Sequence, residues 1–196
     1  MHIFFARIFI NGVIMKEFWS ENSKIIGKLI LNQFGSAFLG LMLLFSASAV
    51  TSQKTWLVLI ASIITTIFYL YLLYNLLWER GGQDRIKIDG GRASKKPLTG
   101  LLISLFANIP NIVIALVILV TSFFKTVEFA GNTNLLFRTF SFLWEGMYAG
   151  IVSYFAPRNP IMHILIVLPA IFVCTGAYLL GLSNFRLLGG PVVNKK

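Results

Sequence analysis

Two kinds of residue could do chemistry inside this otherwise apolar chain: amides beside a proline, and one glutamate. Asn108-Ile109-Pro110-Asn111 lies within a long hydrophobic stretch. Proline removes a backbone donor and frees a carbonyl one turn earlier, so a helix carrying it kinks there. Asparagines flanking such a break can hold a substrate or ion near the bilayer midplane. The competing reading is that their side chains satisfy the freed backbone and join helices. Glu145 lies in another apolar segment, 135–155, together with Arg138. A central Asp, Lys or Arg costs about 2.5–3.5 kcal/mol on insertion scales, and a Glu is comparably unwelcome. Asn108, Asn111 and Glu145 are therefore the candidates for an intramembrane polar site.

Elsewhere the chemistry is sparse. Asp84 and Asp89 sit in the hydrophilic stretch 79–97, ERGGQDRIKIDGGRASKKP, without a histidine and without the glycine-lysine-serine or threonine ending of a phosphate-binding loop. The two histidines are His2 and His163, and the single cysteine is Cys174, so no internal disulfide forms and a zinc ligand set is not expected. His163 reads as a packed or interfacial side chain. No catalytic residue, cofactor or metal is expected, and the chain is not expected to be an enzyme.

The elements that must position these residues are long apolar helices. Stretches 29–50, 56–78, 101–124 and 161–182 have 22 to 24 residues each and almost no charge. A hydrocarbon core of about 30 Å needs roughly 20 such residues. The expected fold is all-α: one polytopic membrane bundle over residues 1–196, with four transmembrane helices and an amphipathic or re-entrant segment at 135–155. A five-span alternative stays open.

Charge arbitrates between the two. The net charge is +10, and basic residues gather on cytoplasmic loops. With the amino end inside, four spans place thirteen Lys and Arg inside and four outside, whereas five spans give eleven and six. The stronger bias favours four, with both ends cytoplasmic in a plasma membrane. Arg138 and Glu145 stand seven residues apart, on one helix face but about 10 Å along the axis, too far to pair directly.

The stretch 79–97 is expected to be a connector, with 85–89 as a short strand or extended turn between paired glycines. Its cations Arg80, Arg85, Lys87, Arg92, Lys95 and Lys96 are the candidate contacts for anionic lipid headgroups or a protein partner, at about 1 kcal/mol per basic residue near the surface. Nucleic-acid binding is not expected, since no basic stripe interleaves with stacking aromatics.

Small and polar residues form stripes on three spans: Asn32, Ser36, Gly40 and Ala47; Gly100, Ser104, Asn108, Asn111 and Ala115; Ala170, Cys174, Ala177, Gly181 and Asn184. Small faces let helix backbones approach where lipid offers no hydrophobic drive, so these stripes should line the interior. Gly146 and Gly150 form another such pair. The aromatics Phe68, Tyr69, Tyr71, Tyr74 and Trp78 read as lipid-facing bulk and an interfacial belt. Pro169 should kink the last span. Residues 1–14 read as an interfacial helix or as sequence upstream of a start at Met15. The favoured function is a non-enzymatic accessory or subunit of a membrane transport complex, with a protein partner or a homo-oligomer expected. An autonomous small-molecule transporter or membrane enzyme, using the broken third helix, is the alternative. The abundance of Phe, Ile, Asn and Lys suits a low-GC bacterium.

Overall fold

The computed structural model describes residues 2–50, 55–124 and 127–187, with side chains for 15–50, 56–124 and 127–187. Lys54, Lys125, Lys195 and Lys196, which weigh in the charge count, lie outside the described residues, as do the side chains of residues 1–14. In chain order the helices are α1 (His2–Val50), α2 (Thr55–Asp89), α3 (Thr99–Ala107), α4 (Ile109–Phe123), α5 (Glu128–Trp144), a 3-10 turn (Gly146–Tyr148), α6 (Ala149–Phe155), α7 (Met162–Leu165) and α8 (Leu168–Leu182). No strand occurs among the described residues.

Three helical stretches are long and apolar enough to cross a membrane: Met15–Val50, Trp56–Asp89 and Met162–Leu182. The pair α3 and α4 makes a fourth if counted as one span, bent by 57°. The bend falls at Asn108, with Pro110 in the first turn of α4, where the missing N–H of proline costs no helical bond. Pro169 likewise opens α8, and the last span breaks between α7 and α8 just ahead of it.

The hydrophilic stretch 79–97 departs from expectation. It is not a connector throughout, and 85–89 is not extended: α2 runs on to Asp89. Ion pairs at helical spacing hold this extension, Arg80 to Asp84 at 3.1 Å, Arg85 to Asp89 at 3.3 Å and Lys87 to Asp84 at 3.5 Å. Tyr178 of α8 adds a cross-helix bond, donating its hydroxyl to Asp84 Oδ2 at 3.0 Å. The helix stops at the second glycine pair, where Gly91 takes φ +70°.

Helix α2 lies between α1 and α8. Gly81 and Gly181 face each other there, and a Cβ on either would strike the other helix's backbone, at Tyr178 O or Trp78 O. The second helix's aromatics are accordingly divided and do not form a lipid-facing belt. Phe68 and Tyr71 are exposed, but Tyr69 and Tyr74 belong to the core. Tyr74 accepts the Leu187 N–H at 3.0 Å, and Trp78 donates to Phe185 O at 2.8 Å. The α3–α4 stripe is buried throughout, as are Ala170, Cys174, Ala177 and Gly181 of α8. On α1, Ser36 and Gly40 of the expected stripe are buried together with Gln33 and Ala37, while Asn32 and Ala47 are half-buried at its edge.

Segment 135–155 is not one helix. Helix α5 runs antiparallel to α4: Asn134 meets Ile118 O, Thr121 and Ser122, and ten residues on, Trp144 meets Asn111. The 3-10 turn then lodges against α1 and α2, where Thr65 and Thr66 both donate to Met147 O. Helix α6 returns along α2, with Gly150 N donating to Ser62 Oγ at 2.8 Å. The small pair serves two neighbours, since Gly146 abuts Ala37 and Leu41 of α1 while Gly150 abuts Val58 and Ser62 of α2. The segment goes in along α4 and comes back along α2. Arg138, near its start, donates to Pro157 O at 3.2 Å and Arg158 O at 3.3 Å, just beyond its end.

Candidate functional site

The break between α3 and α4 is polar, and its two asparagines are engaged by neighbouring groups. Asn108 is buried, and its side-chain amide donates to Ser104 O at 2.9 Å, a carbonyl that also accepts the Asn108 backbone N–H at 3.0 Å. Asn111 uses all four of its hydrogen-bonding positions. Its Nδ2 donates to Gln33 Oε1 at 3.0 Å and to Asn108 Oδ1 at 2.9 Å. Its Oδ1 accepts from Gln33 Nε2 and, at 2.8 Å, from Trp144 Nε1. An amide offers two donors and two acceptor lone pairs, so Asn111 has nothing left for a ligand. The two asparagines join α1, α4 and α5.

Glu145 stands differently. It follows α5 directly, one residue after Trp144, and is 3% exposed. Ser141, one helical turn before it, donates its hydroxyl to Glu145 Oε2 at 2.5 Å. The same Ser141 Oγ lies 3.0 Å from His163 Nδ1 on α7. His163 Nδ1 is 3.7 Å from Glu145 Oε2, so the serine mediates between them. Glu145 Oε1 is buried and accepts no hydrogen bond from the protein, and the buried Tyr148 hydroxyl also has no protein partner.

These groups line a cavity of about 160 Å³ between α5, α6 and α7, whose other polar walls are Arg138 and Ser153. Its volume exceeds the roughly 30 Å³ that one water occupies in the liquid. Arg138 does not reach Glu145. Its guanidinium is held by Asn134 Oδ1 at 2.9 Å and by the carbonyls of Pro157 and Arg158. The structure thus separates the three sequence candidates: Asn108 and Asn111 are cross-links, and Glu145 opens onto the cavity. Trp144 ties the two centres together.

Ser141 and His163 are the residues that sequence reading missed. Ser141 carries a readable signal, four residues before Glu145 on one helix face. His163 is 22 residues beyond Ser141 and across two prolines, so only the tertiary fold brings it in.

The arrangement is not a nucleophile relay. In such a relay the imidazole stands between hydroxyl and carboxylate, using both ring nitrogens. Here serine and glutamate both approach Nδ1, and serine gives its proton to the glutamate. Among the described residues, no three of His, Cys, Asp and Glu converge as a metal set would require.

The basic candidates for headgroup contact also divide. Arg80 is turned inward, 8% exposed, paired with Asp84 and donating to Asn22 Oδ1 at 3.0 Å. Arg85 and Lys87 pair along α2. Arg92, Lys95 and Lys96 are exposed, with Lys96 Nζ 4.0 Å from Glu17 of α1. Comparison with protein-family models, with curated proteins and with solved structures returns no match.

Proposed function

We propose that this chain is a multi-pass protein of a bacterial cytoplasmic membrane that serves as a non-enzymatic accessory or subunit of a transport system, with the re-entrant segment 128–155 as its working element. The observation that carries the reading is Glu145, a nearly inaccessible carboxylate on the turn of a segment that dips into the bundle and returns. Ionisable groups at membrane depth are costly and mark ion or substrate pathways. The hydroxyl beside it lies between the carboxylate and one nitrogen of His163, which favours ion handling over acyl chemistry.

The same hairpin supports four crossings. It starts beside the end of α4 and finishes beside its own start, so the chain between α4 and α7 keeps to one side. An even number of crossings puts both ends on the other side, and the excess of Lys and Arg there supports a cytoplasmic assignment for it. The exposed cations Arg92, Lys95 and Lys96 then face anionic headgroups or a cytoplasmic partner.

Native mass spectrometry of the protein, extracted mildly from its own membrane, tests the assignment. A defined protein partner or a stoichiometric oligomer is the expected result. A lone monomer carrying a small polar ligand would overturn it in favour of a second reading, an autonomous transporter. The cavity at Glu145 favours that alternative over one built on Asn111, whose hydrogen-bonding positions are all used.

A further inference from the structure

The geometry points to a proton-sharing relay, Glu145–Ser141–His163, that holds one proton between carboxylate and imidazole beside the cavity of α5, α6 and α7. It deepens the reading of the re-entrant segment as the working element and rests on it. The serine hydroxyl has a single proton. When that proton is on its bond to Glu145 Oε2, the 3.0 Å contact with His163 is a hydrogen bond only if Nδ1 itself carries a proton. When the carboxyl is protonated instead, it donates to Ser141 Oγ, and Ser141 donates to a bare Nδ1. Both arrangements use the same heavy-atom positions.

Passage between them is balanced. The Glu145 O–H bond and the Ser141 O–H bond break, while a new Ser141 O–H bond and a His163 Nδ1–H bond form. One proton is displaced from carboxyl to imidazole, a neutral pair becomes a carboxylate–imidazolium pair, and no electrons are exchanged. A carboxylate at 3% exposure requires a compensating positive charge, and the proton on His163 supplies it next to the serine bridge. Glu145 and Tyr148 are among the residues that line the cavity, and their buried Oε1 and hydroxyl lack protein partners.

The other titratable groups facing the cluster are Arg138 of α5, Tyr148 of the turn, Tyr69 of α2 and Cys174 of α8. Tyr69 and Tyr148 meet edge to face with ring centroids 6.2 Å apart, and Cys174 and Glu145 are within electrostatic reach of both. Helices α3 and α4 carry no titratable side chain, and α1 presents none toward the turn. Arg138 spends its donors on Asn134 and two carbonyls, which leaves His163 as the basic side chain closest to Glu145.

The test is a proton titration of the full chain in lipid nanodiscs with 15N-labelled histidine, read by the His163 ring signals. The chain has two histidines, and His2→Gln assigns them. A proton on Nδ1 whenever Glu145 is ionised, and a His163 midpoint displaced by about tenfold in proton concentration in both Glu145→Gln and Ser141→Ala, are expected. The same midpoint within about threefold in the wild type and the folded variants would overturn the relay, as would a bare Nδ1 beside an ionised Glu145. Should Ser141→Ala not fold, Glu145→Gln, which keeps the side-chain shape, and the wild-type Nδ1 signal decide alone. The titration needs neither partner nor flux. A failed partner search therefore leaves the relay standing, and an unmoved midpoint with Glu145-dependent flux would remove the relay and leave the transport role.

Discussion

Trp144 donates its indole N–H to Asn111 Oδ1 at 2.8 Å, and the next residue in the chain is Glu145. This bond joins the break between α3 and α4 to the turn that follows α5. Displacement of α4 at Asn108 would thus be felt at the carboxylate, and the amide centre acts as the mount for the acidic one.

That division of labour predicts opposite outcomes for two substitutions. Asn111→Ala strands buried groups on Gln33, Asn108 and Trp144, and should destabilise the fold by roughly 1–3 kcal/mol, given membrane hydrogen bonds of about 0.6 kcal/mol each plus the cost of unpaired polar atoms. Glu145→Gln should leave folding near the wild type and remove proton- or ion-dependent function. Cys174, buried in α8, supplies the readout: its maleimide labelling should accelerate in Asn111→Ala and not in Glu145→Gln.

Close packing predicts a second contrast, among the glycines of α1. A Cβ on Gly40 would lie 2.6 Å from both the Met147 Cα and N, which are backbone atoms that cannot rotate aside. Gly40→Ala should push the re-entrant turn off α1 at a cost of about 1–3 kcal/mol, the usual range for overpacking. Gly27 and Gly35 have nothing within 4 Å, so alanine there should be neutral or slightly stabilising through helix propensity. Thermal unfolding of the three variants in one detergent checks this.

The hydrophilic end of α2 predicts a third. Arg80→Ala leaves Asp84 short of its main partner inside the α1–α2–α8 junction and should cost about 3 kcal/mol, at the lower end for breaking a buried pair. Arg92→Ala and Lys95→Ala should leave stability unchanged and lower retention of anionic phospholipid in native mass spectra, at about 1 kcal/mol per charge.

The parts of this fold that repeat locally were legible in the sequence. Apolar length located four membrane-length stretches, Pro110 and Pro169 located two breaks, and small residues at helical spacing located the buried faces of α3, α4 and α8. Long-range pairing was not legible. Nothing in the stretch 79–97 alone shows that Tyr178 of α8 bonds Asp84, so its glycines read as turns. Tyr69 and Tyr74 look like belt residues until the partners that bury them are known. Asn111 looked like a site because Gln33 and Trp144, which consume its hydrogen bonds, come from two other helices. Glu145 was visible from its charge, but its connection to His163 depends on a fold that brings α7 back beside α5.

The central structural claim is that segment 128–155 enters the membrane and returns to the side it left. Single cysteines at Asn132, Arg158 and Ser94, in a Cys174→Ala background, test it with a membrane-impermeant thiol reagent on right-side-out vesicles. Labelling of Asn132→Cys and Arg158→Cys from the outside, with Ser94→Cys reacting only after the membrane is opened, is the predicted result. Labelling of Asn132→Cys and Arg158→Cys from opposite sides would mean that the segment crosses, and would contradict the re-entrant account.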